Sequence, residues 1–158
     1  IMRIYLADLV HNKHAGDNQI SGEMDFVVPL NIANIASFVE NHFNGQINFS
    51  LFKYPGDLLA TLDSNPPGVL ALSHYIWNVD LNLKIIAYVK NRWPDVIVVL
   101  GGPTIRTNPA DLEEFLRLNS GVDFYVTYEG ERPFLEIIKH FATHGPSLRE
   151  KELSLPAT

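Results

Sequence analysis

The sequence predicts an α/β domain, a three-layer sandwich with helices on both faces of a five-stranded parallel sheet. Three observations predict it. Strand-like and helix-like segments alternate five times within 158 residues, a length that suits one domain with a substantial core and not two. The segment "VIVVLGG" (96–102) is apolar at every position through Leu100, as a central parallel strand covered on both faces would be. The stretches between strands carry apolar residues at three- and four-residue steps, the spacing of amphipathic helices.

The elements can be justified in order. "MRIYLAD" (2–8) is a first strand. About twenty polar, glycine-containing residues follow, from Leu9 to Val28; a connection that long is usually functional or disordered. Pro29 opens a helix over 30–43, with Ile32, Ile35, Ala36, Val39 and Phe43 on its apolar face. "QINFSLFKYP" alternates, with Ile47, Phe49 and Leu51 on one side and Asn48 and Ser50 on the other. That pattern suits a strand near a sheet edge. "GDLLATLD" is a short helix stopped by "SNPPG", and "VLALSH" (69–74) is a short buried strand.

"VDLNLKIIAYVKNRW" is a helix with Leu81, Leu83, Ile86, Tyr88 and Val89 as apolar positions, ended by Arg92 and Pro94. After the fourth strand, "NPADLEEFLRLN" has Asn108 as N-cap, Pro109 at the first helical position and acidic residues in the early turns. "VDFYVTY" (122–128) is the fifth strand and "ERPFLEIIKHFATHG" the fifth helix, closed by Gly145. The domain is expected over 2–144. Residues 145–158 read as a linker. Ile1 ahead of Met2 reads as a leftover residue before the natural start.

Right-handed crossovers leave few topologies. The flavodoxin-like (Rossmann-like) order 2-1-3-4-5 makes the alternating second strand an edge and the fourth strand interior. A ligand then sits beyond the carboxyl ends of the strands. Four segments lie there: the long first loop, "SHYIWN", "GGPTIRTNP" and "YEGERP".

Composition excludes several classes. Net charge is −6 and the twelve Lys and Arg are scattered, which argues against nucleic acid. The absence of cysteine rules out disulfides, thiolate metal sites and a cluster held by this chain, and fits a cytoplasmic protein. No apolar run is long enough to span a membrane, and no signal peptide is visible. A dinucleotide fold wants G-x-G-x-x-G after the first strand, where this chain has "LVHNKHAG". No Walker-type or flavin phosphate loop is present. A phosphoacceptor receiver would have paired acids, an Asp and a Lys where this chain has a lone Asp8, then Ser73-His74, then Tyr128-Glu129.

What remains is small groups on neighbouring strand ends: Ser73 after the third strand, Gly101 and Gly102 after the fourth. Glycine lets a ligand lie close to the main chain, though a plain strand-to-loop turn would also explain Gly-Gly-Pro. "LFKYP" (51–55), "SHYIWN" (73–78), "GGP" (101–103) and "DFYVTYEGERPF" (123–134), in this order and spacing, resemble the N-terminal cobalamin (vitamin B12)-binding domain of cobalamin-dependent radical S-adenosylmethionine (radical SAM) proteins. The resemblance covers roughly residues 2 to 140. It implies a flavodoxin-like sheet holding cobalamin base-off at the strand ends, with the nucleotide tail in the sheet crevice.

The cofactor-binding positions it implies are Ser73, His74, Tyr75, Gly101, Gly102, Pro103, Glu129 and Gly130. Ser73 would lie beside the buried base, and Gly101 and Gly102 would line the tail channel. Tyr75 would help wall it, and Glu129 and Gly130 would stand at its rim. A leucine at Gly102 is expected to block the channel and spare the fold where the backbone dihedrals permit a side chain. The resemblance also implies a parent enzyme whose separate radical SAM domain carries a 4Fe-4S cluster, binds S-adenosylmethionine and performs methyl transfer or related radical chemistry. This chain alone is then expected to be inactive.

Other cobalamin domains carry D-x-H-x-x-G after the first strand, with the histidine on cobalt. Here Asp8, His11, His14 and Gly16 have the residue types at another spacing, so no histidine is expected to ligate the metal. His11 and His14 with Asp17 or His74 could instead bind zinc or iron; chance histidines in a loop are the commoner case. Glu129 and Glu131 could form an acid/base pair or simply favour a helix N-terminus. Tyr75 and Trp77 could stack on a flat ring or pack within their loop. The alternative to a cobalamin site is a cofactor-free domain of the same fold acting as a docking or regulatory module. A third reading is a small-molecule or nucleotide site in the same crevice.

Overall fold

In the computed structural model, residues 1–11, 29–104 and 108–145 are described. Ten elements alternate along the chain: β1 (Met2–Ala7), α1 (Leu30–Glu40), β2 (Ile47–Phe52), α2 (Pro55–Ser64), β3 (Val69–Ser73), α3 (Val79–Arg92), β4 (Ile97–Gly101), α4 (Pro109–Leu118), β5 (Phe124–Val126) and α5 (Glu131–His144). The strands are parallel in the order β2-β1-β3-β4-β5. That is the flavodoxin-like order read from the sequence. His14, Gly16, Asp17, most of the long first loop and the linker 146–158 lie outside the described residues. Among the described residues, no helix is long and apolar enough to cross a membrane.

Strand alternation divides the core in two. Ile4, Leu6, Val69, Ala71, Ile97, Val99 and Val126 face α1 and α5. Tyr5, Ala7, Leu70, Leu72, Val98 and Leu100 face the side of α2, α3 and α4. β4 is buried on both faces from Ile97 to Leu100, which explains why it has no polar position.

Local differences from the sequence reading have physical causes. α1 stops at Glu40, and a tight turn through Asn44 (φ 47°) and Gly45 (φ 76°) leads into β2. At the carboxyl end of β2 the buried face switches. Phe52 packs edge-on against Tyr5 at 5.1 Å, and Leu51 is left exposed. β5 is three residues long, bounded on one side by Asp123 and on the other by the turn out of extended backbone at Tyr128 (φ 60°). The Asp123 carboxylate accepts from Val98 N at 2.7 Å and Lys90 Nζ at 2.6 Å. In α3, Asn82, Ile85, Ile86 and Val89 are buried, while Leu81 and Leu83 lie at the margin. The helix is turned so that Asn82 faces the end of β3.

α4 and α5 begin and end as read. Asn108 caps α4, its side chain accepting from Ala110 N at 3.1 Å. Gly145 ends α5 with φ 62°, a conformation open to glycine.

Candidate functional site

On the α1/α5 face, the sheet carries its smallest side chains at the carboxyl ends of the two inner strands. Ala71 and Ser73 alternate along β3, and Gly101 follows Val99 on β4. They floor a cleft of about 350 Å³. Ile32 and Ile35 of α1 and Phe134 of α5 wall it, and Tyr75, Tyr128, Glu129, Gly130 and Glu131 stand at its rim. An open concave site with an apolar lining and few polar groups is the ordinary form of a small-molecule site.

The two adjacent glycines do different jobs. A Cβ on Gly101 would meet Val126 at 3.6 Å, ordinary contact. Gly101 is therefore not needed by the chain's own packing, and its hydrogen keeps the cleft floor low. Gly102 has φ +152°, and a Cβ there would fall 2.2 Å from the His74 carbonyl oxygen. The fold itself requires glycine at 102, so the dihedrals do not permit a leucine that spares the structure. That backbone is further pinned by Tyr125, whose hydroxyl donates to Gly102 O at 2.8 Å, and by His74 N, which donates to Gly101 O at 2.7 Å.

The polar part of the site begins at Ser73. Asn31, on the first turn of α1, donates from Nδ2 to Ser73 Oγ at 3.0 Å and reaches the Tyr75 hydroxyl at 3.4 Å. Because Ser73 accepts from Asn31, its own hydrogen is left to donate into the cleft. Asn31 also bonds Asp8 at the end of β1. Burial raises the Asp8 pKa, and that hydrogen bond and the Lys53 charge oppose the rise. Neither Asn31 nor Asp8 was singled out as a site residue from the sequence. Nothing in the chain links position 31 to position 73 until α1 is laid across the sheet.

Six of the eight expected positions line the cleft: Ser73, Tyr75, Gly101, Gly102, Glu129 and Gly130. His74 and Pro103 are not brought there. His74 points to the opposite face, 1% exposed, between the rings of Phe115 and Tyr125 at 5.7 and 6.0 Å. Pro103 is exposed and outside the lining. His11 is exposed, with Nε2 2.6 Å from Trp77 O. Trp77 stacks on Tyr75, ring centroids 4.5 Å apart, so this pair packs within its own loop. Glu131 lies in the first turn of α5 and also lines the cleft. Among the described residues, no three His, Asp or Glu side chains gather where a metal ion could be held.

Behind β3, Asn78 and Asn82 are fully buried. Asn78 Nδ2 donates to Ser73 O at 3.1 Å and Leu9 O at 3.3 Å, and its Oδ1 accepts from Tyr75 N at 2.9 Å. Asn82 Nδ2 donates to Ser73 O at 2.9 Å. These amides satisfy the backbone where β3 ends and so fix the loop carrying Tyr75.

His74 also makes stability depend on pH. Burial lowers its pKa. The unfolded chain takes up a proton there as pH falls through about 6.5, while the folded chain does so only at lower pH. Stability from His74 is therefore present above that value and lost as pH falls below it. The unfolding free energy in urea is expected to drop between about pH 7 and 5.5, more steeply than in a His74→Phe variant. Equal slopes in the two proteins would contradict this.

Comparison with known proteins bears on what the cleft holds. The B12 binding domain family matches residues 25–138. A stretch of 79 residues is 42% identical to 2-(S-pantetheinyl)-carbapenam-3-carboxylate methyltransferase of Streptantibioticus cattleyicolor, over 49% of this chain and 11% of that protein. A stretch of 72 residues is 40% identical to the cobalamin-dependent radical SAM methyltransferase TokK of Streptomyces tokunonensis, over 46% of this chain and 10% of that protein. The matches thus span about a tenth of the relatives' length.

Among solved structures, a CheY-like receiver domain from Methanospirillum hungatei superposes with TM-score 0.60 at 15% identity, covering 96% of this chain and 98% of that one. The receiver domain of NarL from Mycobacterium tuberculosis gives 0.59 at 16%, covering 90% and 97%. Likeness at that identity concerns the fold alone. The family match runs from before α1 to within α5 and covers every element that lines the cleft except β1, which contributes Leu6: the chain belongs to the B12 binding domain family.

Proposed function

We propose that the chain binds cobalamin at the carboxyl ends of its strands, with the nucleotide tail in the cleft and its base off the cobalt. The observation that carries this reading is the open cleft floored by Ala71, Ser73 and Gly101. About 350 Å³ holds a nucleoside-sized group, and a whole corrinoid is several times larger. The tail therefore enters and the macrocycle stays outside the rim. The apolar walls keep water from the tail, and Ser73 offers one directed donor. His74 is turned away and His11 is engaged with Trp77 O, so neither is presented to the cleft as a ligand for cobalt.

Bound cobalamin supplies a metal centre that can carry a methyl group; the protein supplies binding, orientation and exclusion of side reactions. By analogy with the relatives' names, the parent would be a radical SAM methyltransferase. The 4Fe-4S cluster and the S-adenosylmethionine site would then belong to a separate domain, because this chain has no cysteine. The chain alone is expected to show no turnover.

Electron paramagnetic resonance of the cob(II)alamin complex tests the binding mode. No nitrogen superhyperfine splitting is expected, and its presence would show an axial nitrogen on cobalt, from the cofactor's own base or from a histidine, and overturn the reading that neither ligates the metal. Ser73→Ala should weaken cobalamin binding about fivefold, the effect of roughly 1 kcal/mol for one neutral hydrogen bond. Equilibrium titration by visible absorbance measures it, and unchanged affinity would remove Ser73 from the site.

A further inference from the structure

Tyr128 combines three properties that the chain's own packing does not explain. It lines the cleft, at the rim after β5. Its side chain is turned to solvent, the residue being 85% exposed. Its backbone sits at φ 60°, a left-handed conformation in which a side chain is strained and glycine is not. A residue held this way gives up stability without gaining buried contact. Strain of this kind persists where it aims a group at something outside the chain.

We infer that Tyr128 is a capping residue of the cleft, its ring covering the part of a bound corrinoid that stays outside. This rests on the cobalamin reading above. It adds a residue to it, and the reason lies in dimensions: the cleft admits only a fraction of the ligand, so apolar surface of the macrocycle must lie over the rim. Tyr128 is the strongly exposed ring on the β5 side of that rim, with Gly130 and Glu131 following it into α5. An aromatic ring offers large apolar area at low conformational cost. The left-handed backbone of Tyr128 turns the chain out of the strand direction at the rim and leaves the ring exposed beside the opening.

The prediction is a trade between stability and retention. Tyr128→Gly relieves the backbone and removes the cover. Its melting temperature should rise by about 2–4 °C, while release of hydroxocobalamin, followed as loss of corrin absorbance after timed desalting, should quicken about tenfold. Tyr128→Phe keeps the ring and should release within about twofold of the wild-type rate. Asn44→Gly serves as control. Asn44 is the other non-glycine residue with positive φ among those described, at the remote α1–β2 turn, and its replacement should leave release unchanged. Wild-type release from Tyr128→Gly, or a lowered melting temperature in that variant, overturns the capping role and leaves the cobalamin site standing. A wild-type protein that takes up no hydroxocobalamin overturns both.

Discussion

Replacing Gly102 with alanine is expected to cost about 3 kcal/mol or more of folding stability, a size that marks a backbone clash. The added Cβ would lie 2.2 Å from the His74 carbonyl oxygen, with the residue at φ +152°. Neither contact partner is a flexible side-chain end, so relief requires moving the end of β3 against β4. Those strands are held in register by the Ser73–Gly101 pairing and by Tyr125, whose hydroxyl bonds Gly102 O. Urea unfolding measures the loss. The matched control is Gly101→Ala, whose Cβ would sit 3.6 Å from Val126. It should cost less than about 1 kcal/mol, near the ordinary scatter of conservative substitutions. Equal losses at the two positions would mean that the division between them is wrong.

The complementary experiment concerns function. Gly101 lies on the same face as Val99 and Ala71, beneath the cleft. A leucine there should keep its Cβ in ordinary contact and carry its branched end into the open volume. The fold should survive with a loss of about 1–2 kcal/mol from crowding. Binding of a cobalamin tail should fall about a hundredfold or more, because the displaced groups are rigid on both sides. The two glycines therefore fail in opposite ways. One substitution harms the protein, and the other harms the site.

That division was not legible in the sequence. Gly101 and Gly102 are the same letter twice, and only the register of β3 against β4 reveals which one touches the His74 carbonyl. The architecture was easier to read. The unbroken apolar run of β4 demands cover on both sides, and the mixed pattern of β2 belongs at an edge, which together select the strand order. Ser73 and the cleft's location followed from that order, because ligands gather at the carboxyl ends of such strands.

Three kinds of residue escaped. Asn78 read only as the end of the SHYIWN segment and Asn82 as a polar position of the helix after it, yet both are buried, spending their amides on the end of β3. Asn31 gained meaning only through a contact 42 positions away. Tyr128 was read only as the end of the fifth strand and the start of the segment after it, because φ is not written in composition. His74 shows the opposite error. The resemblance implied it as a cofactor-binding position, whereas strand alternation sends its side chain to the face opposite Ser73.

The central claim is that small residues leave room above the sheet for part of a corrinoid. The most direct measurement is the visible spectrum of the desalted protein after mixing with hydroxocobalamin, taken for the wild type and for Gly101→Leu side by side. The wild type is expected to keep corrin bands shifted toward a base-off form, while Gly101→Leu elutes colourless with an unchanged far-ultraviolet circular dichroism spectrum. A colourless wild type, or a Gly101→Leu variant as strongly coloured as its parent, would contradict the account.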